Sequence, residues 1–363
     1  MEKNRIIWID IAKFIGIFLV IFVHTISSMG IGDCGIKIFI HLFFMQLFFF
    51  LAGFMYKHKT LKENLKKILW SLLIPYFIYQ FAYFPLILGN HVLYHHQPFF
   101  SELIKGILGI IVIGNADETA NWYYGVCGPC WFIMALIEIR LLFAFIKPNK
   151  INLFVISAIS IILIKILMFL HFDLYCCIDN ALLAVPYFAL GYLIKDIFPN
   201  FKNNIQNTKL NILKSIFIII IYFILLCLVL KYNGFARMSH TLIMLYEIKS
   251  LFFMYFAGVI GTLMVIRFCK HIHSENFFVS TISQNTLFIL FYHWFILFFV
   301  QWAKINKFFF FNNSSYWIQI IYCLIFSIIN LIICFVTILL LKRFPLIFGK
   351  YNYKKLEEKY ADE

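Results

Sequence analysis

Arg5-Ile-Ile-Trp-Ile-Asp10-Ile-Ala-Lys13-Phe-Ile-Gly16-Ile-Phe-Leu-Val-Ile-Phe-Val-His24-Thr25 decides the fold class. As a helix the run is long enough to cross a hydrocarbon core of about 30 Å, yet beyond its opening Arg5 it holds three ionisable groups. Such side chains at membrane depth are costly and are kept for function. Eleven helical steps bring His24 to within about 20° of the face that carries Lys13, roughly 16 Å further along the axis. Asp10 lies one turn below Lys13 on the same side. A carboxylate and an ammonium near one end, and an imidazole near the other, describe a polar stripe through a membrane.

The rest of the chain agrees. Its 363 residues are 63% hydrophobic and only 13% charged, where soluble domains carry about 25% charged residues. This is the composition of an all-α, polytopic membrane helix bundle, since only helices or closed barrels satisfy backbone groups in lipid. Ten spans are predicted: Ile6–Ser28, Ile36–Tyr56, Ile68–Gly89, Pro129–Ile146, Ile151–Leu170, Asn180–Ile194, Ile212–Leu230, Tyr246–Ile266, Phe277–Ala303 and Tyr316–Leu341. With the N-terminus inside, 21 of the 31 lysines and arginines fall in cytosolic segments and six in outer loops. That asymmetry predicts both termini in the cytosol. It also accounts for the net charge of +14, which therefore gives no argument for nucleic acid. The first apolar run reads as an anchor rather than a cleaved signal peptide. Residues 1–341 read as one membrane-embedded domain and 342–363 as a charged cytosolic tail, in a multi-pass protein of the cell membrane.

Most loops are short. The exception runs from about Asn90 to Gly128, with His91, His95, His96, Asp117 and Glu118. Loops of this length in a compact protein often bind ligands. Within it, Leu103–Ile113 suits an interfacial helix, and Trp122, Tyr123 and Tyr124 suit an aromatic belt. Glu138, Arg140, Glu247 and Lys249 are further charges inside spans; structural pairing accounts for Arg140, Glu247 and Lys249, and Glu138 stays open between pairing and chemistry. Cys127-Gly-Pro-Cys130 matches the redox sequence of thioredoxins, but no βαβ pattern surrounds it. Cys34, Cys127, Cys130, Cys176 and Cys177 fall near the predicted outer face, where a structural disulfide can form. No Cys/His spacing resembles a metal site, and no internal repeat is visible.

Several stretches together resemble the acyltransferase 3 family of integral membrane acyltransferases, most nearly its fucose 4-O-acetylase-like branch. Ile9-Asp10-Ile-Ala-Lys13-Phe-Ile-Gly16 through His24 is similar to the family's first helix, where a basic residue, usually Arg, precedes a His by eleven positions. Phe44-Met-Gln-Leu-Phe-Phe-Phe-Leu-Ala-Gly53 resembles its second, with Phe44, Gln46 and Ala52 where His, Pro and Ser are usual and with His41 one turn upstream. Lys66-Lys67…Leu73-Ile-Pro75-Tyr76, Gly128-Pro129-Cys130-Trp131-Phe132, Pro186-Tyr-Phe-Ala-Leu-Gly191 and Asn285-Thr286…His293 follow in the family's order.

The resemblance implies an O-acyltransferase that moves acetyl from cytosolic acetyl-CoA, a cosubstrate rather than a resident cofactor, to a sugar hydroxyl. The acceptor would be a cell-surface polysaccharide or lipid-linked glycan. His24 is then a general base or an acyl carrier. Lys13, with Asp10 beside it, either stabilises negative charge on the donor or snorkels to the boundary. Lys62, Lys66 and Lys67 either hold the phosphates of CoA or reflect topology and anionic lipid. His41, Trp131, Glu138, Asn285 and His293 are candidate cavity-lining residues. The competing class is a glycan transporter or flippase that uses the same charges as a pathway.

Overall fold

A computed structural model describes residues 5–112, 128–170, 174–233, 250–302 and 315–350. Asp117, Glu118, Trp122, Tyr123, Tyr124, Cys127, Glu247 and Lys249 lie outside the described residues. Those described form helices and connecting turns without a strand. Among the described residues eight helices are long and apolar enough to cross a membrane, or nine if one bent pair counts as a single span. The chain is therefore a multi-pass membrane bundle.

Helix α1 (Ile7–Ser28) is followed by α2 (Gly35–His41) and α3 (Phe44–Met55), then by α4 (Leu61–Ile68) and α5 (Ile74–Tyr94). The second expected span is broken: the helix stops at His41 and restarts at Phe44. The third is longer than expected, because a π turn at Leu69–Leu73 joins α4 to α5. Pro75 has no N–H to give the carbonyl four residues back, at Ser71, which is where the helical register widens. Thr60 caps α4, with its hydroxyl accepting from Glu63 N at 3.4 Å and donating to Glu63 Oε2 at 3.2 Å. After α6 (Phe99–Val112) come α7 (Trp131–Phe145), α8 (Lys150–Leu170), α9 (Ile178–Ile197) and α10 (Lys209–Asn233). The chain continues with α11 (Leu251–Cys269), α12 (Phe277–Gln284), α13 (Thr286–Trp302) and α14 (Tyr316–Leu341). The ninth expected span is not straight, since α12 and α13 meet at 89° around Asn285.

The long helices alternate in direction. At the end holding the start of α1, here the lower end, the Trp8 indole donates to Lys202 O at 2.9 Å. There too the Tyr56 hydroxyl donates to Phe143 O at 2.9 Å and Ile205 N to Lys270 O at 2.9 Å. At the upper end Ser250 N donates to Asn233 Oδ1 at 2.8 Å. There His91 Nδ1 also meets the buried Glu102 at 2.8 Å, which ties α6 to α5.

Two glycines set the centre. A Cβ on Gly53 would fall 1.9 Å from Phe188 O, and one on Gly191 would fall 2.1 Å from Phe50 O. Only glycine lets α3 and α9 approach so closely, which is how helices gain contact where lipid supplies no hydrophobic drive between them. Helix α1 packs between α3 and the α11 to α14 group. It is mostly buried, whereas α8 and α10 turn most of their side chains outward. Residues 342–350, after α14, stay against the bundle. A turn at Pro345–Phe348 crosses its lower end, where the Tyr79 hydroxyl donates to Ile347 O and the Phe348 and Phe288 rings stand 5.0 Å apart. Gly349, at φ +63°, then packs on the Ser71 carbonyl.

Candidate active site

Helix α1 carries its stripe inward. At the lower end Asp10 is buried, and its partner is Arg5 rather than Lys13. Arg5 donates to Asp10 Oδ2 from Nε at 3.1 Å and from Nη2 at 2.8 Å. The same guanidinium reaches Glu275 Oε1 at 2.8 Å and Ser280 Oγ at 2.8 Å. With its amide oxygen turned towards Arg5, Gln284 accepts from Nη1 at 2.7 Å. One arginine thus ties the start of α1 to the approach and first turns of α12. Burial pushes the Glu275 carboxyl above its usual range, Asp10 adds to the rise, and Arg5 and Lys13 oppose it.

Lys13 is half-buried in the field of Asp10, Arg5 and Glu275, and among the described residues it forms no ion pair. Its ammonium faces a site whose carboxylates are already occupied by Arg5. Asn285 lies at the bend between α12 and α13; its amide donates to Thr281 O at 2.6 Å and its Oδ1 accepts from Lys350 Nζ at 2.8 Å. Burial and the Arg5 charge both lower the Lys350 ammonium from its usual range.

In the upper half of α1, half-buried His24 meets α13. Its ring centroid is 5.4 Å from that of His293 and 4.9 Å from the edge-on ring of Trp294. His293 is fully buried. Its Nδ1 lies 2.7 Å from Ile289 O. A carbonyl only accepts, so in the neutral ring the proton is on Nδ1 and Nε2 keeps a lone pair. Among the described residues that Nε2 has no hydrogen-bond partner. Asn330 on α14 donates to His293 O at 3.3 Å, holding this turn of α13 in place.

Gly128 leads the Gly-Pro-Cys-Trp turn against the same place, with Trp294 ring atoms 3.5 Å from where its Cβ would be. Trp131 is half-buried and edge-on to Phe132, 6.2 Å away. The structure therefore gathers His24, His293, Trp294 and the start of α7, and lower down Asp10, Lys13 and Asn285.

Other candidates lie elsewhere. His41 ends α2, buried and edge-on to Phe44 at 5.0 Å. Glu138 is half-buried, with Cys176 and Cys177 in its field, so it faces the turn before α9. Lys62 and Lys67 are exposed on α4 and Lys66 is half-buried. Among the described residues no His, Cys, Asp or Glu group is placed to hold a metal. Sequence reasoning missed Glu275 and Trp294 as neighbours of the stripe. Glu275 carries no local signal, being joined to α1 only by tertiary packing. Trp294 was within reach, as the residue beside a singled-out His293.

A family model described as an acyltransferase domain matches residues 6–339. No curated protein and no solved structure matches the chain.

Proposed function

The chain belongs to the acyltransferase 3 family, and on that footing we propose that it is a membrane O-acyltransferase of the fucose 4-O-acetylase-like kind. It moves acetyl from cytosolic acetyl-CoA to a sugar hydroxyl of a surface polysaccharide or lipid-linked glycan. The lower end of the bundle is cytosolic, with both termini there, which the bias of Lys and Arg supports. Helix α9, 20 residues long, serves as the tenth span in the plasma membrane, its charges Asp179 and Lys195 near its two ends.

The observation that carries the reading is the packing of His24 against the buried His293 inside the bundle. His24 takes the proton of the acceptor hydroxyl as its oxygen bonds to the thioester carbonyl carbon. The C–S bond then breaks and the departing thiolate takes a proton, giving an acetyl ester and free CoA. His293, with Nδ1 committed to a carbonyl, offers Nε2 to the same proton path. Lys13 lies roughly 16 Å below His24 along α1, too far to touch the same carbonyl. It therefore acts on the pantetheine or phosphate part of the donor, which spans that separation, as a point charge rather than a planar fork.

Purified His24→Ala should transfer acetyl at least about 100-fold more slowly than wild type while keeping its fold. An unchanged rate refutes the mechanism. A glycan flippase would show no thermal shift with acetyl-CoA, whereas the enzyme should, and Lys13→Ala should weaken it. The acceptor class is tested by mass spectrometry of surface glycans from a deletion strain, which should lack an acetyl ester.

A further inference from the structure

Helix α7 holds a charge that no described residue answers. Its sequence Trp131-Phe-Ile-Met-Ala-Leu-Ile-Glu138-Ile-Arg140-Leu-Leu-Phe-Ala-Phe145 is apolar except for two residues. Two helical steps are about 200°, so Glu138 and Arg140 point to opposite faces and cannot pair. Glu138 is turned to the Cys176–Cys177 side. Arg140 forms no ion pair and no hydrogen bond among the described residues, and its Nε is buried without a partner. The titratable neighbour in its field is Tyr56, whose hydroxyl is donated to Phe143 O at 2.9 Å.

A guanidinium stays protonated, and an uncompensated buried charge is strongly unfavourable. Nearby on α9, Lys195 donates to the backbone carbonyl of Tyr56, with Lys57, Lys202 and Asp196 in its own field. At this corner, where α4, α7 and α9 meet at the lower end, no carboxylate among the described residues pairs with Arg140. Arg140 is nine residues, roughly 14 Å, along α7 from Trp131, at the opposite end of the helix from the Gly128 turn that packs on Trp294 beside His24.

We propose that Arg140 binds a phosphate group. Planar N–H donors suit phosphate oxygens, and the ligand supplies the charge that α7 lacks. Two sources carry that chemistry: a phosphate of the acyl-CoA donor, which rests on the acyltransferase reading above, or the headgroup phosphate of an anionic lipid, which does not.

The test uses the full chain, delipidated in a maltoside detergent, as wild type, Arg140→Met and Arg140→Lys. Thermal shifts and Kd are measured with acetyl-CoA, with S-acetylpantetheine (no phosphate), with phosphatidylglycerol and with diacylglycerol (no phosphate). Wild type should bind a phosphate-bearing probe more tightly than its phosphate-free counterpart. Arg140→Met should bind that probe about 10- to 100-fold more weakly, with Arg140→Lys between. Without ligand, Arg140→Met should melt higher than wild type, because an unpaired buried charge has gone.

Loss on acetyl-CoA assigns the site to the donor, and loss on phosphatidylglycerol assigns it to lipid. If Arg140→Met binds both phosphate probes as wild type does, or wild type binds neither, the proposal is overturned. Absence of an acetyl-CoA shift in wild type alone counts against the enzyme reading, and the lipid arm still decides Arg140.

Discussion

Replacing Gly191 or Gly53 with Ala tests the packing that holds the bundle together. Ordinary contact begins near 3.4 Å, and the new methyl would stand 2.1 Å from Phe50 O at Gly191 and 1.9 Å from Phe188 O at Gly53. Relief requires α3 and α9 to part by about 1.3 Å in the first case and 1.5 Å in the second. The obstacles are backbone atoms, so no rotamer change absorbs the clash. A gap of about 0.5–1 Å already forfeits a quarter to a half of the dispersion energy of a contact, and these gaps are wider. Overpacking costs about 1–3 kcal/mol, and backbone obstacles put these sites in the upper part of that range. Alanine returns up to about 1 kcal/mol through helix propensity, leaving a net loss of about 2 kcal/mol. Gly89 in α5 is the control: nothing stands within 4 Å of its Cβ position, so Gly89→Ala should stabilise by about 0.5–1 kcal/mol. Both central glycines lie at one crossing, so once the helices part for one methyl the second is partly accommodated. The double variant should therefore lose less than the two single losses combined, by at least about 0.5 kcal/mol. Reversible unfolding in detergent, followed by tryptophan fluorescence, reads all four proteins. A Gly191→Ala protein as stable as Gly89→Ala, or additive losses in the double variant, refutes the close-crossing argument.

His293→Phe should keep the ring volume near His24 but remove Nε2, so acetyl transfer should fall about 100-fold or more with little change in melting temperature; an unaffected rate would exclude His293 from the proton path. Arg5→Met leaves Asp10 and Glu275 as neighbouring carboxylates without their shared cation, so stability should fall near neutral pH and the deficit should shrink on acidification; a deficit independent of pH would place the role of Arg5 elsewhere. Lys270, buried in the turn after α11 with its ammonium 3.6 Å from the Phe201 centroid, has its pKa pushed down to about 8, chiefly by burial and further by Arg267. The unfolded chain then binds the extra proton between about pH 8 and 10.5, so wild-type stability should rise across that window, and Lys270→Met should abolish the rise and melt higher at pH 7. Gly349→Ala forces a Cβ into the left-handed region, 2.5 Å from Ser71 O, and should detach the turn at Pro345–Phe348, read as faster proteolysis after α14.

What the sequence revealed follows from what is local. The stripe of Asp10, Lys13 and His24 was legible because helical spacing alone places it on one face. The apolar runs marked most of the long helices for the same reason. The bend at Asn285 and the break between His41 and Phe44 were not legible, since neither carries proline or glycine at the break and both are imposed by packing. Glu138 and Trp131 show the limit of face arguments. Seven residues apart, they share a side of α7, but only tertiary contacts show that Glu138 faces the turn before α9. Arg140 was expected to find a structural partner, and the chain offers none among the described residues. The pairing of His24 with His293 needed α1 and α13 to meet, which no spacing within either helix encodes.

The clasp made by Arg5 has a consequence for biogenesis. Arg5 and Ser280 are 275 positions apart in the chain, so at ribosomal speeds of about 5–20 residues per second roughly 15 to 55 s separate their synthesis. During that interval the earliest helix waits in or beside the translocon with Lys13 exposed and its lower end secured only by its own neighbours. The segment made first is thus among the last to be completed, and a truncated chain that ends before Glu275 should be recognised by membrane quality control through that unfinished end.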